Sequence, residues 1–150
     1  MRIRIKSMLG NMMSWSVVMR SIATELSKDH DVFLDSINGT RFMNDYLCSR
    51  IMPCFNADLD LAYTMPENFA SRFNTRSKVK AAIYNYESSI LPETWSGNHK
   101  YLDFIFPSSE YCKRVFLNSG YPDKKIFVIP HGVDHLDKSN YERIDDIEST

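Results

Sequence analysis

The stretch DFIFPSSEYCKRVFLNSGYPDKKIFVIPHGVD, Asp103 to Asp134, decides the fold class of this chain. It begins with a short apolar run, Asp103-Phe104-Ile105-Phe106-Pro107, that reads as a strand. Ser108 or Ser109 can cap the helix that follows, and Glu110 sits at its positive end. Cys112, Val115 and Phe116 then share one helical face, and Gly120 with Pro122 supplies the stop signal. Ile126-Phe127-Val128-Ile129 predicts the next buried strand, closed by Pro130-His131-Gly132. A strand–helix–strand crossover of this kind implies a parallel sheet, whose ligands lie outside the carboxyl ends of its strands.

Working outward, the same alternation repeats upstream. Arg2 to Leu9 predicts a first strand, more polar than the centre of a parallel sheet should be. Ser14 or Ser16 can cap a helix in which Val18, Ile22 and Leu26 stack with Ala23 beside them. Asp31 to Leu34 predicts a second strand and Phe42, Tyr46, Leu47 and Ile51 a second helix that Pro53 ends. Asp58 to Met65 and Val79 to Tyr86 read as the third and fourth strands. Phe69 and Phe73 pair on a short helical turn between them, and a weak helix starts at Pro92. The order is that of an α/β, Rossmann-like, doubly wound, mostly parallel sheet over residues 1–135, with 136–150 as a linker or frayed tail.

Bulk properties exclude several function classes. Eighteen basic and nineteen acidic residues leave a net charge of −1, so nothing draws the chain toward nucleic acid. Cys48, Cys54 and Cys112 have neither disulfide-framework nor zinc-ligand spacing, which fits a reduced, cytoplasmic protein without a metal. No apolar run reaches the roughly 18 residues needed to span a bilayer. A dinucleotide fingerprint is absent, because the glycine after Gly10 is Gly39, and so is a phosphate-binding Walker loop.

Two motifs carry a family resemblance. PSSEYCKRVF…SGYPDKKIFVIPHGVD resembles the closing segment of the N-terminal domain of GT-B glycosyltransferases of family four, also called group 1, and YESSILPETW, Tyr86 to Trp95, is similar to a WES-x-x-LP stretch in a subset of that family. The likeness covers about residues 1–135 and is strong after Tyr84. It implies the N-terminal, acceptor-side half of a retaining enzyme that moves a sugar from a nucleotide-sugar donor to a glycan or glycolipid acceptor, with neither cofactor nor metal. The family's second domain, which binds the nucleotide and carries an E-x7-E motif, would be absent, leaving the chain inactive alone and in need of a second-half subunit. Lipid-linked acceptors would imply peripheral association with the inner face of the membrane. A non-catalytic module that holds a glycan or docks a partner is the alternative.

The candidate site residues follow from the strand-end loops and the resemblance together. Gly10 and Asn11 lie between the first strand and a helix N-terminus, where an anion is favoured, although a plain turn explains them equally. The family places this loop near the donor diphosphate. Glu87, after the fourth strand, can orient acceptor hydroxyls or act as a base, where many family members carry a histidine, or it can simply bond the loop. Ser108 can add a substrate contact to its capping role. His131, Gly132 and Asp134 would lie at the family's interdomain hinge and can bond sugar or phosphate, or build a turn. Trp15 and Trp95 can stack on a sugar ring or pack in the core. Arg72, Arg76, Lys78 and Lys80 form a basic cluster that could meet an anionic headgroup, or a solvated loop.

Overall fold

A computed structural model describes residues 1–132. Its elements are β1 (Arg2–Ser7), α1 (Ser14–Leu26), β2 (Asp31–Ser36), α2 (Asp45–Cys48), β3 (Leu59–Tyr63), α3 (Phe69–Arg72), β4 (Val79–Ile83), α4 (Glu93–Ser96), β5 (Phe104–Phe106) and α5 (Glu110–Asn118), with 3-10 turns at Pro66–Asn68, Gly97–Tyr101 and Asp123–Lys125. The five strands form one sheet in the order β2-β1-β3-β4-β5. Every pairing is parallel, so the fold is α/β and Rossmann-like, with helices flanking the sheet.

The polar residues of β1 are answered by its neighbours. Arg4 stands opposite Asp60 of β3 and Lys6 opposite Asp35 of β2. The Arg4 guanidinium donates to Asp60 at 2.6 Å and to Asp35 at 3.0 Å. Ile3 and Ile5 alternate with these charges and are fully buried. One face of this interior strand is thus apolar, and the other carries an ion-pair network that is buried at Arg4 and Asp60. Interior position and polar composition are reconciled by partners that no local pattern displays.

α1 packs Met19 and Ala23 into the core, with Val18, Ile22 and Leu26 against its margin. Its N-cap is Met13, not Ser14 or Ser16. Ser16 is buried and its hydroxyl reaches the Met8 carbonyl and the Asn11 side chain. The second helix is a single turn: Phe42, Tyr46 and Ile51 are exposed and only Leu47 of that predicted face is buried. Ile51 instead makes a parallel bridge to Leu34. α5 is capped by Ser109, whose Oγ accepts from the Cys112 amide at 3.2 Å, and Gly120 follows it with φ +82°.

The predicted sixth strand, Ile126–Ile129, runs beside β5 as an extended segment with one bridge, Ile105 to Ile126. The amides of Phe127 and Ile129 donate to the carbonyls of Ile105 and Pro107 at 3.1 and 2.9 Å. Phe127 and Ile129 are both 51% exposed, because a segment at the sheet margin buries one face only. The expected linker at 136–150 lies outside the described residues, as does Asp134, so the turn expected at Gly132 to Asp134 falls largely outside them too. Among the described residues no helix is long and apolar enough to cross a membrane.

Candidate functional site

Successive strands leave β1 in opposite directions, toward β2 on one side and β3 on the other. Such a reversal opens a crevice at the carboxyl ends of the two strands. A cleft of about 460 Å³ lies there, lined by Ser14, Trp15 and Val18 of α1, Tyr63 at the end of β3, Tyr84 to Glu87 beyond β4, and His131.

Its walls are aromatic. Trp15 stacks on Tyr63 with centroids 5.3 Å apart and planes 12° from parallel, and meets Tyr84 edge-on at 6.0 Å. Tyr84 contacts Tyr86 at 6.3 Å, and both contact Trp95, at 6.4 and 5.7 Å. The His131 ring lies 6.0 Å from Tyr63. The rings therefore form one continuous surface from His131 to Trp95. Trp95 packs on Tyr84 and Tyr86 without lining the cleft.

The polar groups are few and distinct. Asn85 ties three strand ends together: its Oδ1 accepts from the Ser108 amide at 2.7 Å and its Nδ2 donates to the Tyr63 hydroxyl at 3.2 Å. The Ser7 hydroxyl donates to the Tyr63 carbonyl at 3.3 Å, holding β3 against β1. Glu87 is exposed at the rim and lines the cleft without a hydrogen bond or ion pair among the described residues. Burial raises the Tyr63 phenol above its usual range and pushes Tyr84 up to about 12, so both remain neutral donors at physiological pH. Burial lowers the His131 imidazole, which favours the neutral ring. Among the lining residues Glu87 alone is an acid, and none is a lysine or arginine.

Of the residues expected from sequence, Glu87 and His131 come together in the lining of this cleft, as does Trp15. Gly10 and Asn11 do not line it. The Gly10 amide donates to Asn38 Oδ1 at 2.9 Å, so the amide an anion would need is already committed. A Cβ at Gly10 would stand 2.2 Å from the Gly39 carbonyl oxygen, which gives this glycine a packing reason. Asn11 Oδ1 accepts from the Met13 amide at 3.0 Å, and Arg20 donates to the carbonyls of Leu9 and Asn11, both at 2.7 Å. The loop satisfies itself as a turn. Ser108 serves through its backbone, positioning Asn85, and lies outside the lining. Gly132 is exposed beside His131.

The basic cluster sits at the opposite, amino-terminal edge of the sheet. Lys78 pairs there with Asp58 at 2.6 Å, and the Arg72 carbonyl accepts from Arg4 at 3.4 Å. His99 packs against Tyr121 at 5.3 Å rather than standing in solvent. Tyr63, Tyr84 and Asn85 escape a reading by motif, and Tyr86 enters one only as the first residue of the YESSILPETW stretch, with no role in a site. The signal that finds them is positional, since all four sit at the carboxyl ends of β3 and β4, where parallel sheets bind ligands. Among the described residues no group of three or more His, Cys, Asp or Glu could hold a metal ion. No protein-family model matches the chain, and no curated protein matches it.

Proposed function

We propose that the chain is a sugar-binding, acceptor-side domain of a GT-B glycosyltransferase, taking a neutral glycan or the glycan part of a glycolipid into the cleft below Trp15. The observation that carries the reading is the lining itself: a continuous aromatic wall, phenol and amide hydrogen-bonding groups, and one carboxylate at the mouth. Pyranose rings present apolar C–H faces and a belt of hydroxyls, and a concave, largely aromatic site with a few placed polar groups matches that duality. Glu87 is free to accept from sugar hydroxyls and, in a complete enzyme, to take the proton of the attacking hydroxyl.

The same lining argues for a division of labour. Transfer from a nucleotide sugar needs positive charge on the departing diphosphate, and electrostatic stabilisation of this kind is usually the largest catalytic contribution. Among the described residues the cleft is lined by no lysine or arginine. The donor would therefore be held by a separate nucleotide-binding half, and this chain contributes the acceptor. Motif resemblance in residues 86–95 and 107–134 supports the same assignment.

Calorimetric titration of the chain with methyl glycosides and with a panel of nucleotide sugars tests the proposal. Weak binding of glycosides, abolished by Trp15→Ala, with no heat from the nucleotide sugars and no transfer, is the expected outcome. Tight nucleotide-sugar binding or turnover by the chain alone would refute the division of labour. Silence toward every glycoside would refute the sugar-binding assignment.

A further inference from the structure

The polarity of the hydrogen bonds around Tyr63 can be assigned without ambiguity. The Ser108 backbone N–H can only donate, so the Asn85 atom facing it at 2.7 Å is the carbonyl oxygen. The other end of that amide, 3.2 Å from the Tyr63 hydroxyl, must then be the NH₂ group, which can only donate. Tyr63 accepts this bond through an oxygen lone pair. Its own proton is left over, and among the described residues no acceptor takes it.

From this arrangement we infer that Tyr63 is a dedicated hydrogen-bond donor to whatever occupies the cleft, held in that role by Asn85 and the Ser108 amide. The inference rests on the sugar-binding reading and sharpens it. The cleft has a donor pole at Tyr63, deep beside Trp15, and an acceptor pole at Glu87 on the rim. Its ligand presents an oxygen lone pair to the first and a hydroxyl hydrogen to the second. A neutral polyol meets both demands, whereas a ligand with only an ammonium group at the inner end would leave the Tyr63 proton unpaired at cost. Tyr63 is 5% exposed and stacked on Trp15, so its ring cannot swing away to make another bond. Asn85 acts as a positioning residue: it aims the Tyr63 proton.

Two substitutions separate the donor from its aim. Tyr63→Phe keeps the ring and its stacking but deletes the proton. Asn85→Asp replaces the amide NH₂ by a second carboxylate oxygen that accepts from Tyr63, while the first still accepts from the Ser108 amide, so the phenol proton turns away from the cleft and a lone pair faces the ligand instead. With the methyl glycoside that binds the native chain best, each change weakens binding about two- to tenfold, the usual range for one neutral hydrogen bond. The double variant loses no more than either alone, because both abolish the same donated bond. A structural role for Asn85 would instead give additive losses in step with melting temperature.

A readout without ligand keeps the test decisive. In protein carrying carbon-13-labelled tyrosine, Asn85→Leu adds no charge yet raises the pH at which Tyr63 ionises, since the phenolate loses the Nδ2–H that stabilised it. No shift in that variant overturns the relay whatever the sugars do. If the shift appears but Tyr63→Phe binds the glycoside as the native chain does, the donor assignment is overturned and the sugar reading stands. If the shift appears and no glycoside binds, the sugar reading fails and the proposed ligand polarity fails with it.

Discussion

Replacing Arg4 by Met should be strongly damaging to β1, and the structure says by how much. Asp60 is completely buried and Arg4 is 5% exposed. They are joined at 2.6 Å, with Thr75 donating to the same carboxylate oxygen at 2.7 Å. The second oxygen, Asp60 Oδ1, has no partner. Removing the guanidinium leaves a buried charge with one hydroxyl for company, and breaking such a pair costs about 3–5 kcal/mol. Asp35 also loses a partner, but its side chain is 42% exposed and water screens most of that effect. Against a typical domain stability of about 5–15 kcal/mol, the loss is a large fraction. At about 2–4 °C per kcal/mol for a chain of this size, the melting temperature should fall by about 6–20 °C.

The pH dependence has a definite sign. Burial already raises the Asp60 pKa against the pull of Thr75 and Arg4. In Arg4→Met the pull of Arg4 is gone and the rise grows. Stability from a raised carboxyl is present below the ordinary carboxylate range and lost as pH rises through the folded value. The deficit of the variant should therefore shrink on acidification. Urea unfolding at neutral and mildly acidic pH, together with the double variant Arg4→Met/Asp60→Leu, checks this. The double variant should recover most of the loss, since an apolar pair of similar volume replaces a buried ion pair at little cost. A double variant no more stable than Arg4→Met would refute the reasoning.

Gly10→Ala should destabilise by about 1–3 kcal/mol or more, because the new methyl meets backbone atoms that cannot rotate away, a loss that a chemical-denaturation midpoint will register. Ser109→Ala should cost about 1 kcal/mol through the lost cap on α5, whereas Ser108→Ala should be nearly silent in the same assay, since Ser108 acts through its backbone amide. Proton NMR titration should place His131 below the ordinary histidine range, as partial desolvation disfavours its charged form, and Tyr63→Ala, which removes the ring 6.0 Å away, should move it back toward that range. Any stability from the neutral imidazole is present above its unfolded value and lost as pH falls through the folded one. Trp15 and Trp95 are the two tryptophans of the chain and both belong to the aromatic wall, so ligand entry should change intrinsic fluorescence, and a bound glycoside that leaves it unchanged would place the ligand elsewhere.

The alternation of apolar runs with amphipathic helical spacing determined the parallel α/β class from sequence alone, because burial on both faces of a strand and on one stripe of a helix writes directly into residue order. The same order located α5 and narrowed its cap to Ser108 or Ser109, of which the fold uses Ser109, and it located the strand ends that carry Glu87 and His131 and the absence of a dinucleotide loop. It could not show that Arg4 is neutralised from both sides, since Asp35 and Asp60 lie 31 and 56 residues away and meet it only through sheet register. It placed a full helix over Phe42–Ile51 where the fold keeps one turn, and a buried strand at Ile126–Ile129 where the sheet margin buries one face.

The cleft itself belongs to tertiary structure. Trp15, Tyr63, Tyr84 and His131 come from four separate segments, and their stacking depends on strand order, a property of long-range pairing that no local pattern encodes. Sequence named the acid and the imidazole; the reversal of the sheet at β1 joined them to the aromatic wall, and Asn85 set the direction of its innermost proton.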